Sequence, residues 1–330
     1  MEKRALGTTG SQVAAIGQGC ALFSEGYGTP PDDGTSLRAL LAAADAGVTL
    51  FDTSDAYGIG HNETLLGQFL RARRNHVTLA TKVGLVRKPG DPRVTIDNSP
   101  QHIASACEAS LRRLRIETID LYYLQRRDPQ VPIEDTVGAM ADLVKAGKVR
   151  YLGLSEVSAD TLRRAAKVHS ITALQSEYSL WTRGPESGEL DACRELGITF
   201  VAYCPLGRAF LTGEITDTGK LAANDFRRRM PRFQPGTLEK NRALLPALTT
   251  FAISHGATCA QIALAWLLRK NPFVVPIPGS KQPGHVVQNA GAADITLSAE
   301  DIEALDTLFP ASAVVGARLP QPAMAGIEAP

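Results

Sequence analysis

An α/β fold of the (β/α)8 barrel type, entered by a short hairpin, is what this sequence predicts, and three observations predict it. Short apolar runs rich in β-branched residues alternate with longer stretches of helical period from Ile16 to about Ala290. Eight strand candidates can be placed, more than an open parallel sheet usually carries. The chain has 330 residues, 44% hydrophobic and 21% charged, which suits one large barrel and is too apolar for a disordered chain. The expected organisation is one domain over residues 1–330, with a tail at 311–330 either frayed or folded over the barrel mouth.

The elements follow in order. A turn between Gly7 and Gly10 makes the hairpin. Strands are expected at Ala15-Ile16-Gly17, Leu50-Phe51-Asp52, 77–81, 119–123, 149–155, 173–175, 199–203 and 274–277. Amphipathic stretches at 37–46, 102–114, 133–146, 161–169, 188–196 and 259–269 are the helices. In the third of these, Ile133, Val137, Met140 and Val144 fall three or four apart, and Gly147 is the stop. Two segments break the rhythm. Residues 206–238, rich in Gly, Arg and Pro, are expected to form a lid after the seventh strand. The Ala/Pro-rich tail has no clear period.

Composition excludes several functions. Thirty-five Lys and Arg against thirty-four Asp and Glu give a net charge of +1, with no field to draw in nucleic acid. Five scattered cysteines with no C-x-x-C pair argue against a disulfide scaffold or zinc ribbon. No secretory leader or long apolar run stands out, so the expectation is a cytoplasmic chain with no membrane role. Oligomeric state is not legible. Near misses to known motifs are set aside. The run from Gly17 through Gly19 lacks a third glycine, His61-Asn62-Glu63 has no Pro-Cys-x-x-Cys partner, and Gly153-Leu154-Ser155-Glu156 continues into Val157, not Gly. No metal is expected.

Reactive residues in such barrels sit at the C-terminal ends of strands. There the sequence offers Asp52 and Tyr57 after the second strand, Lys82 after the third and Gln125 after the fourth. An ammonium beside a tyrosine stabilises the phenolate and lowers the hydroxyl from its ordinary value of about 10, and a carboxylate holds the ammonium. Tyr57 is then a general acid, suited to a carbonyl oxygen that gains negative charge during hydride addition. Lys82 as a Schiff-base nucleophile, in an aldolase-like lyase, is the competing reading. A cofactor-binding redox sensor of low turnover is a third.

The blocks FDTSDAYGIGHNETLLG, LATKVG, IDLYYLQRRDPQVPIEDTVGAM, KVRYLGLSE, ALQSEYSLWTR, VAYCPLGRAFLTG, IALAWLLR and VPIPGS run in the order found in the aldo-keto reductase family. The sequence resembles that family over nearly its whole length, in the branch of YakC-like and perakine-reductase-like enzymes. The resemblance implies an oxidoreductase that reduces a small-molecule aldehyde or ketone to the alcohol with NADP(H) or NAD(H), and NADP(H) is the expected preference. It implies that Asp52, Tyr57 and Lys82 belong to a catalytic tetrad with Tyr57 the proton donor. Most relatives carry histidine where Gln125 stands. Glutamine donates a hydrogen bond but delivers no proton, so Gln125 is expected to polarise the carbonyl.

Cofactor contacts are also implied. Ser155 and Gln175 are expected at the nicotinamide carboxamide and Tyr203 stacked on its ring, with Gly19, Cys20 and Ile277 nearby. Cys204, Pro205, Leu206, Gly207 and Arg208 match the pyrophosphate loop. Gly279, Ser280, Lys281 and Gln282 match the 2′-phosphate turn, where a neutral Gln282 replaces the usual arginine and forfeits a charge-assisted grip. Lys281, His285, or Lys220 and Arg227 of the lid are the expected compensating groups, Arg227 within a basic run that includes Arg228, Arg229 and Arg232. Gln288 and Asn289 match the adenine contacts. Phe23, Tyr27 and Trp181 are expected to wall the substrate pocket beside Tyr57 and Gln125, and Trp266 to lie in the core. Thiol sensitivity is expected at Cys20 and Cys204.

Overall fold

The computed structural model describes residues 1–91 and 93–328, so positions 329 and 330 of the predicted tail lie outside the described residues. Eight strands form the sheet: β1 (Gln18–Gly19), β2 (Leu50–Asp52), β3 (Thr78–Val83), β4 (Ile119–Leu124), β5 (Val149–Ser155), β6 (Ile171–Glu177), β7 (Thr199–Tyr203) and β8 (Val274–Pro276). Each pairs in parallel with the next in chain order. The ring closes where Gly17 N–H donates to Pro276 O (2.9 Å) and Gly19 N–H to Pro278 O (3.2 Å). Closure depends on those glycines. A Cβ on Gly17 would meet the Ile277 side chain at 2.8 Å, and one on Gly19 would meet Ile277 O at 2.8 Å. The first strand therefore starts after the predicted Ala15-Ile16-Gly17, where backbone contact replaces side-chain packing.

Leu50, Ala80, Leu121, Ala173, Val201 and Val275 fill the barrel interior. Leu6 and Val13, from the hairpin strands Lys3–Ala5 and Gln12–Ala14 and their turn, join this cluster and seal one end. Outside the ring lie α1 (Asp33–Asp45), α2 (His61–Arg73), α3 (Pro100–Leu114), α4 (Ile133–Lys145), α5 (Ala159–Val168), α6 (Glu189–Leu196), α7 (Cys259–Lys270) and α8 (Pro283–Ala290). Side-chain caps set several starts: Asp32 accepts from Thr35 N–H, Ser99 from His102 N–H and Ser158 from Thr161 N–H. The start of α2 carries no such signal, because left-handed Gly60 precedes it without a capping side chain. Among the described residues, no single helix is long and apolar enough to cross a membrane.

Both irregular segments lie against the mouth. Within 206–238 the chain makes four short 3-10 turns, and Phe226 N–H reaches across to Gly26 O in the loop after β1 (3.0 Å). The described part of the tail folds over the ends of β4 and β5 and is not frayed. Arg318 forms a bidentate pair with Glu156 (2.9 and 2.7 Å), Arg127 N–H donates to Gly326 O (3.2 Å), and Glu328 N–H donates to Glu156 O (2.9 Å).

Candidate active site

The strand ends surround a cavity of about 460 Å³. Into it the barrel brings Asp52, Lys82, Gln125, Ser155, Gln175 and Tyr203, with Tyr57 from the turn after β2. Lys82, only 1% exposed, donates from Nζ to Asp52 Oδ1 and to Thr53 O (2.7 Å). The other oxygen of Asp52 accepts from Gln175 Nε2 (2.8 Å). Lys82 Nζ also lies 5.1 Å from the Tyr57 ring centroid. Burial alone would lower the Lys82 ammonium, but Asp52 and Tyr57 outweigh it and hold it above its ordinary value. The Tyr57 hydroxyl departs from expectation. Burial raises it, and the pull of Lys82 in the other direction is the smaller effect.

Gln125 is oriented by a neighbour. Its Oε1 accepts from the Ser54 hydroxyl (2.6 Å), while Ser54 Oγ accepts from Ala56 N–H (3.1 Å). With the amide oxygen occupied, the NH2 is the end left for a ligand. Farther along, Cys204, Pro205, Leu206 and Arg208 line the cavity. Cys204, Gly207, Arg208 and Ala209 all have positive φ (48°, 55°, 58° and 70°). That run forms a nest, and among the described residues the N–H groups of Leu206, Arg208 and Ala209 meet no protein acceptor. Arg208 is fixed by a buried bidentate pair with Glu177 (2.7 and 2.6 Å). The opposite wall carries Gly19, Cys20, Ile277 and Gly279.

The Aldo/keto reductase family matches residues 15–309. The chain belongs to that family. It is 42% identical over 314 residues to a probable aldo-keto reductase 1 of Glycine max, covering 95% of this chain and 90% of the relative. To the aldo-keto reductase yakc [NADP(+)] of Schizosaccharomyces pombe it is 41% identical over 313 residues, covering 93% and 92%. The structure of a glycerol dehydrogenase from Gluconobacter oxydans superposes with a TM-score of 0.85 at 29% identity, covering 93% of this chain and 94% of that one. The protein is accordingly an NAD(P)H-dependent oxidoreductase on a (β/α)8 barrel.

Other expected contacts of this aldo/keto reductase lie elsewhere. Trp181 does not wall the cavity. Its ring stacks on Phe210 (3.8 Å), meets Phe233 edge-on (5.4 Å) and packs under Gly207, so it supports the nest from beneath. Its free side borders a separate cavity of about 290 Å³ behind the tail. Phe23 is a core residue, 1% exposed, whereas Tyr27 does line the site. Trp266 is core as expected. The basic run is dispersed: Arg227 pairs with Asp225 and stacks on Tyr27 (4.4 Å), Arg228 donates to Gly219 and Leu221 carbonyls, Arg229 lies over Phe226, and Arg232 donates to Trp181 O. Lys220, Gln282 and Gln288 are exposed and outside the cavity. Lys281 spends its Nζ on Tyr27 O and Thr29 O (2.9 Å), clasping the loop after β1. Ser280 accepts from Gln282 N–H (3.2 Å), and Asn289 is buried on α8. Cys20 is buried and burial raises its thiol, so the partly exposed sulfurs are Cys204 and Cys259.

Several members of the site went unread in the sequence: Ser54 behind Gln125, Glu177 behind Arg208, Arg126 in the wall, and Leu319 and Ala323 from the tail. Glu177 had a signal, a charge closing an apolar strand. The tail residues had none.

Proposed function

We propose that the protein reduces aldehydes and ketones to alcohols with NADPH, the described chain and its tail acting as one catalytic unit. The observation that carries this reading is the single cavity joining Tyr57, Lys82, Asp52 and Gln125 to Ser155, Gln175 and Tyr203. The residues fit a nicotinamide cofactor. Gln175 gives its NH2 to Asp52 and keeps its amide oxygen for a carboxamide, Ser155 Oγ has only a long contact with Arg126 (3.4 Å), and Tyr203 offers a half-buried aromatic face. The unsatisfied N–H groups of the nest suit a pyrophosphate. The turn at Ser280, Lys281 and Gln282 is proposed for the 2′-phosphate, with exposed Lys220 rather than the Asp225-paired Arg227 as its supporting lid cation, and Gln288 and Asn289 for adenine. The NADP(+) in the name of the fission-yeast relative favours NADPH, with NADH the second cofactor.

When bound, NADPH supplies a hydride to the carbonyl carbon. Tyr57 Oη gives its proton to the oxygen, Lys82 stabilises the phenolate left behind, and the Gln125 amide N–H holds the carbonyl in place. Replacing Gln125 by Leu should lower kcat/KM for a good aldehyde about 10²-fold. An unchanged value would remove Gln125 from the mechanism. Lys82, charged and held by Asp52 and Thr53 O, is a poor Schiff-base nucleophile.

A panel of aromatic aldehydes, quinones, keto sugars and polycyclic ketones, run with NADPH and NADH, tests the reading. Failure to reduce any of them would overturn it. The pH dependence is specified too. A hydroxyl raised by burial stays protonated through neutrality and beyond the ordinary tyrosine value of about 10, so loss of the Tyr57 proton should not slow reduction below that pH. Alcohol oxidation needs the phenolate and should rise with pH over the same range. An inflection near 7 would belong to Asp55, whose carboxyl burial and Glu63 push up to about 7, and Asp55→Asn should abolish it.

A further inference from the structure

Among the described residues, the cavity holds one cation without a counter-ion. Where β5 and β6 reach the mouth, four guanidinium groups surround two buried carboxylates. Arg208 takes Glu177 and Arg318 takes Glu156, each in a bidentate pair. Arg232 turns to the Trp181 and Gly316 carbonyls, outside the catalytic cavity. Arg126 remains. Among the described residues it has no carboxylate within 4.0 Å, although it lines the cavity beside Gln125. One of its nitrogens, Nη1, donates to Gln125 O (2.7 Å) and lies 3.4 Å from Ser155 Oγ. Among the described residues its Nε and Nη2 meet no protein acceptor. The other charged groups lining the cavity are matched: Glu25 by Arg87, Asp52 by Lys82, Arg208 by Glu177.

We infer that the preferred substrates are carbonyl compounds that also carry a carboxylate, bound by Arg126 while Gln125 and Tyr57 address the carbonyl. This rests on the reductase reading. A planar guanidinium with two free donors matches a carboxylate, and in a cavity partly closed by Leu85, Leu319 and Ala323 that contact is poorly screened. The reaction itself is unaltered: hydride adds to the carbonyl carbon, the Tyr57 proton adds to its oxygen, and the product is a hydroxy acid. The carboxylate stays ionised throughout.

The test compares carboxybenzaldehydes with nitrobenzaldehydes substituted at the 2, 3 or 4 position. Nitro groups activate the aldehyde more strongly, so chemistry alone favours the neutral member of each pair. In the wild-type enzyme at least one carboxylate isomer should show kcat/KM about tenfold above its nitro partner. Arg126→Gln should erase that ratio and Arg126→Lys should keep part of it. If no isomer favours the carboxylate, the inference fails. It fails equally if R126Q weakens NADPH binding and slows both aldehydes alike, which would make Arg126 a cofactor contact. Calorimetry of benzoate with the NADPH-loaded wild-type enzyme and R126Q separates the two readings. Benzoate bound by wild type alone supports the anion site even if no aldehyde is turned over, and benzoate bound equally by both, or by neither, refutes it.

Discussion

Tyr57→Phe is expected to lower kcat/KM for a good aldehyde by about 10²- to 10⁴-fold while leaving NADPH binding intact. The size follows from the shortage of other acids. Gln125 stands where a histidine could share the proton, and an amide releases none at neutral pH. Lys82 is committed to Asp52 and to Thr53 O, so its protons already hold the site together. Burial keeps the Tyr57 hydroxyl protonated, and a phenylalanine of the same shape removes only that proton source. Steady-state rates with a fluorescence titration of NADPH check both halves. Residual activity within tenfold of wild type would mean that water delivers the proton.

Different parts of the molecule were legible for different reasons. Strand ends are legible because barrel strands alternate with helices, and that rhythm alone puts Asp52, Lys82, Gln125, Ser155 and Tyr203 on one rim. The family blocks then assigned them roles. What the sequence could not carry was pairing in space. The basic run at 227–232 read as one phosphate grip, yet two 3-10 turns point its arginines at different neighbours, and Arg227 is neutralised by Asp225 two residues away. Trp181 followed a strand, as a pocket residue would, but stacking on Phe210 and the close approach of Gly207 draw it beneath the loop. The sign of the Tyr57 shift was missed for a related reason. Charge partners are visible in sequence, whereas the depth of burial that opposes them is a property of the closed mouth. That mouth includes Leu319 and Ala323, from a tail with no periodicity.

Lys82→Met is expected to cost about 3–5 kcal/mol of stability and to lower carbonyl reduction at least about 10²-fold. The stability loss arises at Asp52. That carboxylate is 3% exposed, and without the ammonium it keeps only the Gln175 amide as a side-chain donor. An uncompensated buried charge is costly, whereas removing both members of a buried pair can be nearly neutral. The double variant Asp52→Asn with Lys82→Met should therefore regain most of the stability, because an asparagine oxygen still accepts from Gln175 Nε2. It should not regain activity, since the phenolate formed at Tyr57 would lack its cation. Urea unfolding of the three proteins beside their aldehyde kinetics separates the two roles of the pair. Recovery of both properties together would mean that Lys82 acts on the fold alone, and a double variant as unstable as Lys82→Met would place the cost outside Asp52.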